Sequence, residues 1–451
     1  MEMKLATVPR TTCWPVLAKV LISTAICVAL AELVGSATIP LGGNYRVTLL
    51  PFLWALLIGA VWGVASPRLP AALQVNTAAQ QMASAALQFA LLLFIAKLGL
   101  LVGGSLPKIL TAGWALVFQE FGHFFGTAFV GLPIALLLGI KREAIGATFS
   151  VGREPSLAII GERYGMSSPE GHGVLAEYIT GTVFGAVFIA LFASMVTSLG
   201  IFHPHALAMG AGMGSGSLMA AAAGAISAQQ TPEMAKEVAA FAAASNLITT
   251  TIGTYFTLFL SLPFTIWAYG VHEPILGRGK GQSVTASESD DLSEVARSSG
   301  AAEKFSIAHV FAIWIGVGII ALAANHIAFK TVPDGATLAG LGIILSCVAV
   351  GFAVNELTRG MVPAVLWVSL VAMTLTYPAM PYAADIAALT GRVNFLALAT
   401  PVIALAGLSL AKDLPVFGKL GWRIVLVSLA ANAGTFIGGA VVAQFFMGSH
   451  P

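Results

Sequence analysis

Apolar runs of about 20 residues recur along the whole 451-residue chain, and short polar segments separate them. A run of that length is what an α-helix needs to cross the hydrocarbon core of a bilayer. The pattern predicts an all-α polytopic membrane protein with about 11 transmembrane helices. The predicted spans are 15–35, 48–66, 83–104, 112–139, 173–199, 235–268, 305–325, 337–355, 361–377, 393–411 and 419–446.

Two shorter apolar segments, 143–165 and 204–228, are interrupted by glycine, serine and proline. Each is followed by a Pro-Glu step, at 169–170 and 232–233, and then by a long apolar helix; the two steps are 63 residues apart, which indicates one unit used twice. Backbone that leaves the helix at membrane depth must be buried in protein or line a cavity. Because one span separates the two segments, we expect two re-entrant hairpins that enter from opposite sides and flank a site near the midplane.

A second internal repeat relates the two ends of the chain. Residues 96–131 match residues 404–439 without a gap at an offset of 308, so that Thr127, for example, recurs as Thr435. The copies are seven predicted spans apart, an odd number, so they run antiparallel. This predicts inverted repeats about a pseudo-two-fold axis in the membrane plane, in which spans 1–4 pair with spans 8–11 and span 7 is a connector.

The distribution of lysine and arginine predicts the orientation. With the N-terminus inside, the predicted cytoplasmic segments hold thirteen of these residues and the outer segments hold four. Membrane proteins carry this excess on the cytoplasmic side. We therefore expect a multi-pass protein of the bacterial inner membrane, with a cytoplasmic N-terminus and a periplasmic C-terminus.

Composition excludes several classes of protein. The chain is 57% hydrophobic and 9% charged, unlike an ordinary soluble domain, and its net charge of +2 gives no reason to expect a nucleic-acid partner. The three cysteines have no CxxC spacing, so neither a metal cluster nor a disulfide framework is predicted. The chain has no HExxH, GxSxG or Walker motif. We expect no enzyme activity and no cofactor, and membrane lipids as partners.

Polar residues at the centres of the two hairpins form the candidate substrate site. Arg153 suits a substrate carboxylate because its planar guanidinium can bind both oxygens; pairing with Glu154 to fix the loop is the alternative role. Glycine allows close approach of the backbone, and N–H groups at the starts of half-helices attract anions, whereas the alternative is tight helix packing. The candidate substrate-binding residues are Ser150, Gly152, Arg153, Glu154, Ser156, Gly212, Gly214, Ser215, Gly216 and Ser217.

Polar residues inside three predicted spans are candidates for coupling to an ion. Ser245, Asn246 and the threonines after them are expected to interrupt the sixth span, where oxygen atoms and unwound carbonyls would hold Na+; hydrogen bonding between helices is the alternative. Glu120 and His123 share one face of the fourth span, where they would relay protons or form a buried bracing pair. The candidate ion-coupling residues are Glu120, His123, Glu177, Ser245, Asn246, Thr249 and Thr250.

The segment Gly210–Ser217, which reads Gly-Ala-Gly-Met-Gly-Ser-Gly-Ser, resembles the glycine-rich re-entrant motifs of the 2-hydroxycarboxylate transporters and the glutamate:sodium symporters. The segment Ser150–Ser156 departs from those motifs, and the whole chain looks closer to a bacterial integral-membrane family known only as a domain of unknown function. The resemblance implies an elevator mechanism, in which a scaffold domain dimerises and a transport domain bearing both hairpins slides across the bilayer. It also implies a small carboxylate as cargo and, in many members, sodium coupling.

Together these observations predict an elevator-type, ion-coupled secondary active transporter of a small organic anion, such as a carboxylate or an amino-acid-like compound, acting as a homodimer. Na+ or H+ is the expected coupling ion. A proton-coupled exporter or antiporter is the main alternative, and a channel is less favoured. The predicted segments are a cytoplasmic N-terminus (1–14), first-repeat helices of the scaffold and part of the transport domain (15–139), two hairpin–helix units of the transport domain (140–268), a polar cytoplasmic linker (269–304), a connecting helix and loop (305–335) and second-repeat helices (336–451).

Overall fold

The computed structural model describes residues 13–42, 45–151, 154–166, 168–277, 305–358, 363–412, 414 and 421–447. Helices make up nearly all of this part of the chain, as the long apolar runs predict. The helices are α1 (Cys13–Val34), α2 (Pro51–Ala65), α3 (Thr77–Thr111), α4 (Trp114–Leu137), α5 (Glu143–Thr148), α6 (Glu154–Arg163), α7 (Pro169–Thr180), α8 (Ala186–Ser198), α9 (Pro204–Ala211), α10 (Gly216–Ser227), α11 (Pro232–Phe256), α12 (Leu262–Leu276), α13 (Ile307–Phe329), α14 (Gly335–Leu357), α15 (Ala364–Thr376), α16 (Ala383–Gly391), α17 (Phe395–Leu410) and α18 (Trp422–Met447).

Seven of the described helical segments are long and apolar enough to cross a membrane, or up to nine if each of two bent helix pairs counts as one span. This confirms the predicted class, an all-α polytopic membrane protein. Two predicted spans are short helices in the structure: α2 at 48–66 has 15 residues and α15 at 361–377 has 13. The number of eleven spans stays a prediction.

A small β-hairpin between α1 and α2 was not predicted. Strands β1 (Ala37–Gly42) and β2 (Tyr45–Leu49) pair antiparallel, with Thr38 opposite Thr48. β-Branched residues favour this extended pairing. The amide of Thr48 donates to the Ser194 hydroxyl of α8 at 2.9 Å, which joins the β-hairpin to the helical core.

The helices α4 and α18 cross in close contact at glycines. A Cβ atom on Gly126 would overlap the carbonyl oxygen of Gly434, and a Cβ on Gly434 would overlap that of Gly126. Beside this contact the hydroxyl oxygens of Thr127 and Thr435 lie 2.7 Å apart, both buried. Small residues let membrane helices approach this closely, and a hydroxyl pair adds a specific bond.

Two long helices contain π-helical turns, and one of them is bent. Residues Gly181–Gly185 form a π-helical turn between α7 and α8. A second π-helical turn, Thr257–Ser261, joins α11 to α12, and the segments on either side of residues 254–256 meet at 65°. Such turns inside α-helices are frequent at functional sites. The two lie in the helices that follow the two interrupted segments.

Candidate functional site

Each interrupted segment forms two short helices separated by a break. The first consists of α5 and α6, and its described break residues include Phe149, Ser150 and Val151. The second consists of α9 and α10, with the break at 212–215. These positions agree with the predicted segments 143–165 and 204–228. We call the two units hairpin 1 and hairpin 2.

Hairpin 1 is held against α7 and the π-helical turn after α11. Gly146 of α5 and Gly173 of α7 have no space for a Cβ atom, because each lies against the backbone of the other helix. The Ser261 hydroxyl donates to the carbonyl oxygen of Phe149 at the break. Backbone groups freed by the break are therefore partly satisfied by a neighbouring helix, as the membrane interior requires.

Hairpin 2 is held by two consecutive side chains of α11. The Ser245 hydroxyl donates to the Met209 carbonyl at 2.8 Å, and the Asn246 side-chain amide donates to the carbonyls of Gly212 at 2.9 Å and Gly214 at 3.3 Å. Gly214 has φ +63°, a left-handed conformation that glycine adopts without strain. Side-chain donors from α11 thus replace the helical bonds that the break removes.

The same long helix therefore contacts both breaks. Asn246 holds hairpin 2, and Ser261, 15 residues further along, holds hairpin 1. At 1.5 Å per residue these positions are at most about 22 Å apart along the helix, and the bend of α11 against α12 shortens that distance. Asn246 also lines a narrow cavity between α3, α10, α11 and α15. The other lining residues are Ile95, Leu98, Gly99, Val102, Met219, Ala243, Leu247, Val365, Ser369 and Met373.

The expectation that Ser245–Thr251 interrupts the sixth span is wrong. The helix α11 is continuous from Pro232 to Phe256, and the break in direction comes later. Thr249 and Thr250 bond the carbonyls of Ser245 and Asn246, four residues earlier, within the helix. Hydroxyls that bond back to the preceding turn allow a polar run to stay helical in an apolar environment.

A buried polar cluster lies where α4 meets α11. Glu120 is fully buried, and its Oε1 accepts hydrogen bonds from Gln119 Nε2 at 2.8 Å and from the Thr249 hydroxyl. His123 Nδ1 is 3.7 Å from the same oxygen. Among the described residues, Glu120 Oε2 and both ring nitrogens of His123 have no hydrogen-bond partner. We call Gln119, Glu120, His123 and Thr249 the Glu120 cluster.

The Glu120 cluster lies next to hairpin 2. A Cβ atom on Gly439 of α18 would overlap the His123 ring and would also lie 3.2 Å from the Cα of Gly210 in α9. Thr249 is one helical turn from Ser245, which holds Met209. Helix α11 therefore contacts both Glu120, through Thr249, and hairpin 2, through Ser245. Helix α18 contacts both at Gly439, which lies against His123 and Gly210.

A second buried polar group lies where α7 meets α18. Glu177 and Thr180 are fully buried on α7, and the Ser428 hydroxyl of α18 donates to the Glu177 carbonyl at 3.4 Å. One turn further, Asn432 is also fully buried. Ser428 lies 308 residues after Glu120, so it is the counterpart of Glu120 in the predicted second repeat.

The structure brings some predicted site residues together and separates others. Ser150 and Ser156 are buried, whereas Ser215 and Ser217 are half-buried and their hydroxyl oxygens lie 2.9 Å apart. Glu120, His123, Ser245 and Thr249 come together, while Thr250 is exposed on α11. Gly152 and Arg153 lie outside the described residues, as does the side chain of Glu154, so their assignment stays a prediction. Gln119, Ser261, Ser428 and Asn432 were not among the predicted site residues; the available signal was a polar side chain within an apolar run.

Fold and site together define a polytopic helical membrane protein with ionisable groups buried among its spans. The chain belongs to the family described as Protein of unknown function (DUF3100), which matches residues 29–271, more than half of the chain. The matched region contains both hairpins, the Glu120 cluster and α11, and ends before α13. Comparison with curated proteins and with solved structures found no match. The resemblance to the two transporter families therefore stays a prediction.

Proposed function

We propose that this protein is an ion-coupled secondary active transporter that moves a small organic anion, such as a carboxylate or an amino-acid-like compound, across the bacterial inner membrane. The observation that carries the proposal is that one helix, α11 with its continuation into α12, holds the breaks of both hairpins. A ligand bound between the breaks would touch the same element on both sides. Discontinuous helices around a central site are the recurrent architecture of secondary transporters.

The proposed anionic cargo is supported by the chemistry of the breaks. α6 and α10 both begin at a break, and the positive end of a helix dipole favours an anion there. Ser215 and Ser217 add hydroxyl donors at the start of α10. Arg153, two residues after Val151 in the sequence, would pair with the carboxylate, since its guanidinium matches two carboxylate oxygens.

The transporter proposal includes inverted repeats. In a two-fold arrangement, a residue near the axis touches its own counterpart. Gly126 and Gly434, which correspond at the offset of 308, exclude a Cβ from each other, and their neighbours Thr127 and Thr435 are hydrogen-bonded. These reciprocal contacts support an axis through the α4–α18 crossing.

Two equivalent contacts further from this crossing also support the repeats. Gly99 of α3 packs on Ser369 of α15, and its counterpart Gly407 of α17 packs on Leu56 of α2. We propose that α1–α3 and α13–α17 form a dimerising scaffold. The elements α4–α12 and α18 would then move as the transport domain in an elevator cycle, with the N-terminus cytoplasmic.

Counterflow in liposomes tests the function. Purified protein is reconstituted into vesicles loaded with one unlabelled carboxylate or amino acid, and entry of the labelled compound is followed. A thermal-shift screen chooses the compounds, because a ligand that binds the native state raises the apparent stability by mass action. Saturable, self-competed entry is expected for at least one organic anion. Passive, non-saturating flux would identify a channel instead, and no flux across the panel would refute transport of this class.

A further inference from the structure

The Glu120 cluster has a buried carboxyl group that forms no ion pair with a lysine or arginine of the described residues. Glu120 and His123 are 0% and 1% exposed, and Oε1 of Glu120 is taken by two donors, Gln119 and Thr249. Its Oε2 has no hydrogen-bond partner among the described residues and points towards Gly253, three residues before α11 ends. An ionised carboxylate is costly at membrane depth, and such groups commonly mark proton pathways.

We propose that the coupling ion is a proton, that it binds Glu120 at Oε2 with His123 beside it, and that it crosses the membrane together with the anionic substrate. The inference rests on the proposed function and specifies its coupling ion. The proton is taken from water on one side and returned to water on the other, so that the carboxyl group ends each cycle as it began. Because an ionised Glu120 near hairpin 2 would repel an anion, protonation favours substrate binding, and by reciprocity the substrate favours protonation.

The geometry favours a proton over Na+. Sodium sites in such transporters use backbone carbonyls of unwound helix. Helix α11 stays helical throughout Ser245–Thr251, and its threonine hydroxyls donate hydrogen bonds to the carbonyls of that segment. The Asn246 side chain directs its Nδ2 donors at the carbonyls of Gly212 and Gly214, so these freed carbonyls of hairpin 2 already accept hydrogen bonds. A carboxyl group beside an imidazole is suited to bind and pass a proton.

Thr249 provides the link from the proton to hairpin 2. Its hydroxyl has one hydrogen and two acceptors within reach, the carboxyl group of Glu120 and the carbonyl of Ser245. The ionised carboxylate attracts that hydrogen more strongly, since charge-assisted hydrogen bonds are stronger than neutral ones. Protonation of Glu120 releases the hydrogen to the carbonyl of Ser245, whose side chain holds Met209 of hairpin 2. The state of the carboxyl group is therefore transmitted along one face of α11.

Other titratable groups stand on the elements around Glu120, and the nearest ion pair of α9 is distant from it. His205 of α9 is bound to Glu237 at 2.8 Å, and Glu237 is about 18 Å along α11 from Thr249 at the helical rise per residue. Lys108 of α3 also pairs with Glu237. The remaining groups are His203 just before α9, Glu233, Lys236 and Tyr255 of α11, Tyr269, His272 and Glu273 of α12, Glu143 of α5, Glu177 of α7 and Arg423 of α18.

Proteoliposomes loaded with the pH-sensitive dye pyranine test the proposal without sodium. Addition of a carboxylate that gives counterflow should acidify the lumen in the wild type. Glu120→Gln, which mimics the permanently protonated group, should lose this acidification at least tenfold, and its counterflow should no longer vary with pH. Glu32→Gln is the matched control, because Glu32 is also a buried carboxyl group that accepts from a threonine, Thr400, at 2.9 Å. The control should acidify the lumen as the wild type does.

The outcomes separate this proposal from the proposed function. If wild-type counterflow requires Na+ and moves no protons, the claim that the proton is the coupling ion is refuted, although transport itself stands. This measurement needs no variant. Acidification by Glu120→Gln would overturn the role of Glu120. If no carboxylate gives counterflow, infrared spectra of the purified protein decide. A protonated-carboxyl band of the wild type that is missing in Glu120→Gln but present in Glu32→Gln supports the site, and no loss of such a band in Glu120→Gln refutes it.

Discussion

The crossing of α4 and α18 permits a sharp test of how the fold is held together. Gly126 and Gly434 each lie against the carbonyl oxygen of the other, so that Gly126→Ala adds a methyl group where the partner backbone already is. A carbon and a carbonyl oxygen in contact are normally about 3.3–3.6 Å apart. To restore that separation, the two helices must move apart by about 1 Å along much of their shared length. The atom that the new methyl group meets is a backbone oxygen, so no flexible side chain can move aside instead.

The expected cost of Gly126→Ala is about 1–3 kcal/mol of unfolding free energy, the usual range for overpacking of a tight contact. Gly434→Ala should cost a similar amount. The double variant should cost clearly less than the sum, because one separation of the helices relieves both overlaps and neighbouring sites are not additive. The bond between Thr127 and Thr435 at 2.7 Å would be stretched in all three variants.

Unfolding of the detergent-solubilised variants by heat or denaturant provides the measurement. Gly342→Ala in α14 is the matched control, since a Cβ there meets nothing within 4 Å. Alanine should leave stability unchanged or raise it by up to about 1 kcal/mol at that position, because it favours a helix over glycine. A Gly126→Ala protein as stable as the control, or a double variant with fully additive cost, would refute the reciprocal contact.

Variants at three further positions test other parts of the proposal and the fold. Asn246→Ala should lower stability by about 1–3 kcal/mol, because the side-chain donor to the carbonyls of Gly212 and Gly214 is lost, and hydrogen exchange should rise in residues 209–217; unchanged exchange there would contradict the bracing role. Arg153→Ala should abolish carboxylate uptake in liposomes without loss of folding, with Arg153→Lys intermediate, and wild-type uptake would refute the assigned role. Lys97→Met should lower stability by about 1–3 kcal/mol, because Lys97 Nζ donates to the Thr390 carbonyl at 2.7 Å. Its uptake per folded protein should match the wild type, and a selective loss of uptake would instead indicate a substrate contact.

The interrupted segments were predictable because their signal is local. Glycine, serine and proline inside an apolar run lower helical stability at a defined place, and the helices of hairpin 2, α9 and α10, lie within the predicted 204–228. The long spans were predictable for a similar reason, since length and apolar character decide them. The β-hairpin was not, because β1 and β2 are short and lie between two apolar runs of greater length.

The behaviour of Ser245–Thr251 could not be predicted from sequence. A run of Ser, Asn and Thr indicates either an unwound helix or a helix whose hydroxyls bond the preceding turn, and both have the same local pattern. Packing decides between them. Ser245 and Asn246 find acceptors in hairpin 2, and Thr249 finds one in Glu120, so that the polar side chains are satisfied while the backbone stays helical.

The helix break between α16 and α17 explains why a break alone does not define a site. The two helices meet at 55°, and Asn325 of α13 donates to the Arg392 carbonyl at 2.9 Å and accepts from the Asn394 amide at 3.0 Å. The Lys97 side chain donates a hydrogen bond to the Thr390 carbonyl. Asparagine thus braces this break as Asn246 braces hairpin 2, but here it serves both a donor and an acceptor of the broken backbone. Hairpin 2 is braced in the same way, and Glu120 and His123 lie beside it with unpartnered atoms among the described residues. The proposed cargo and proton sites therefore rest on the buried polar groups beside hairpin 2 and not on the break itself.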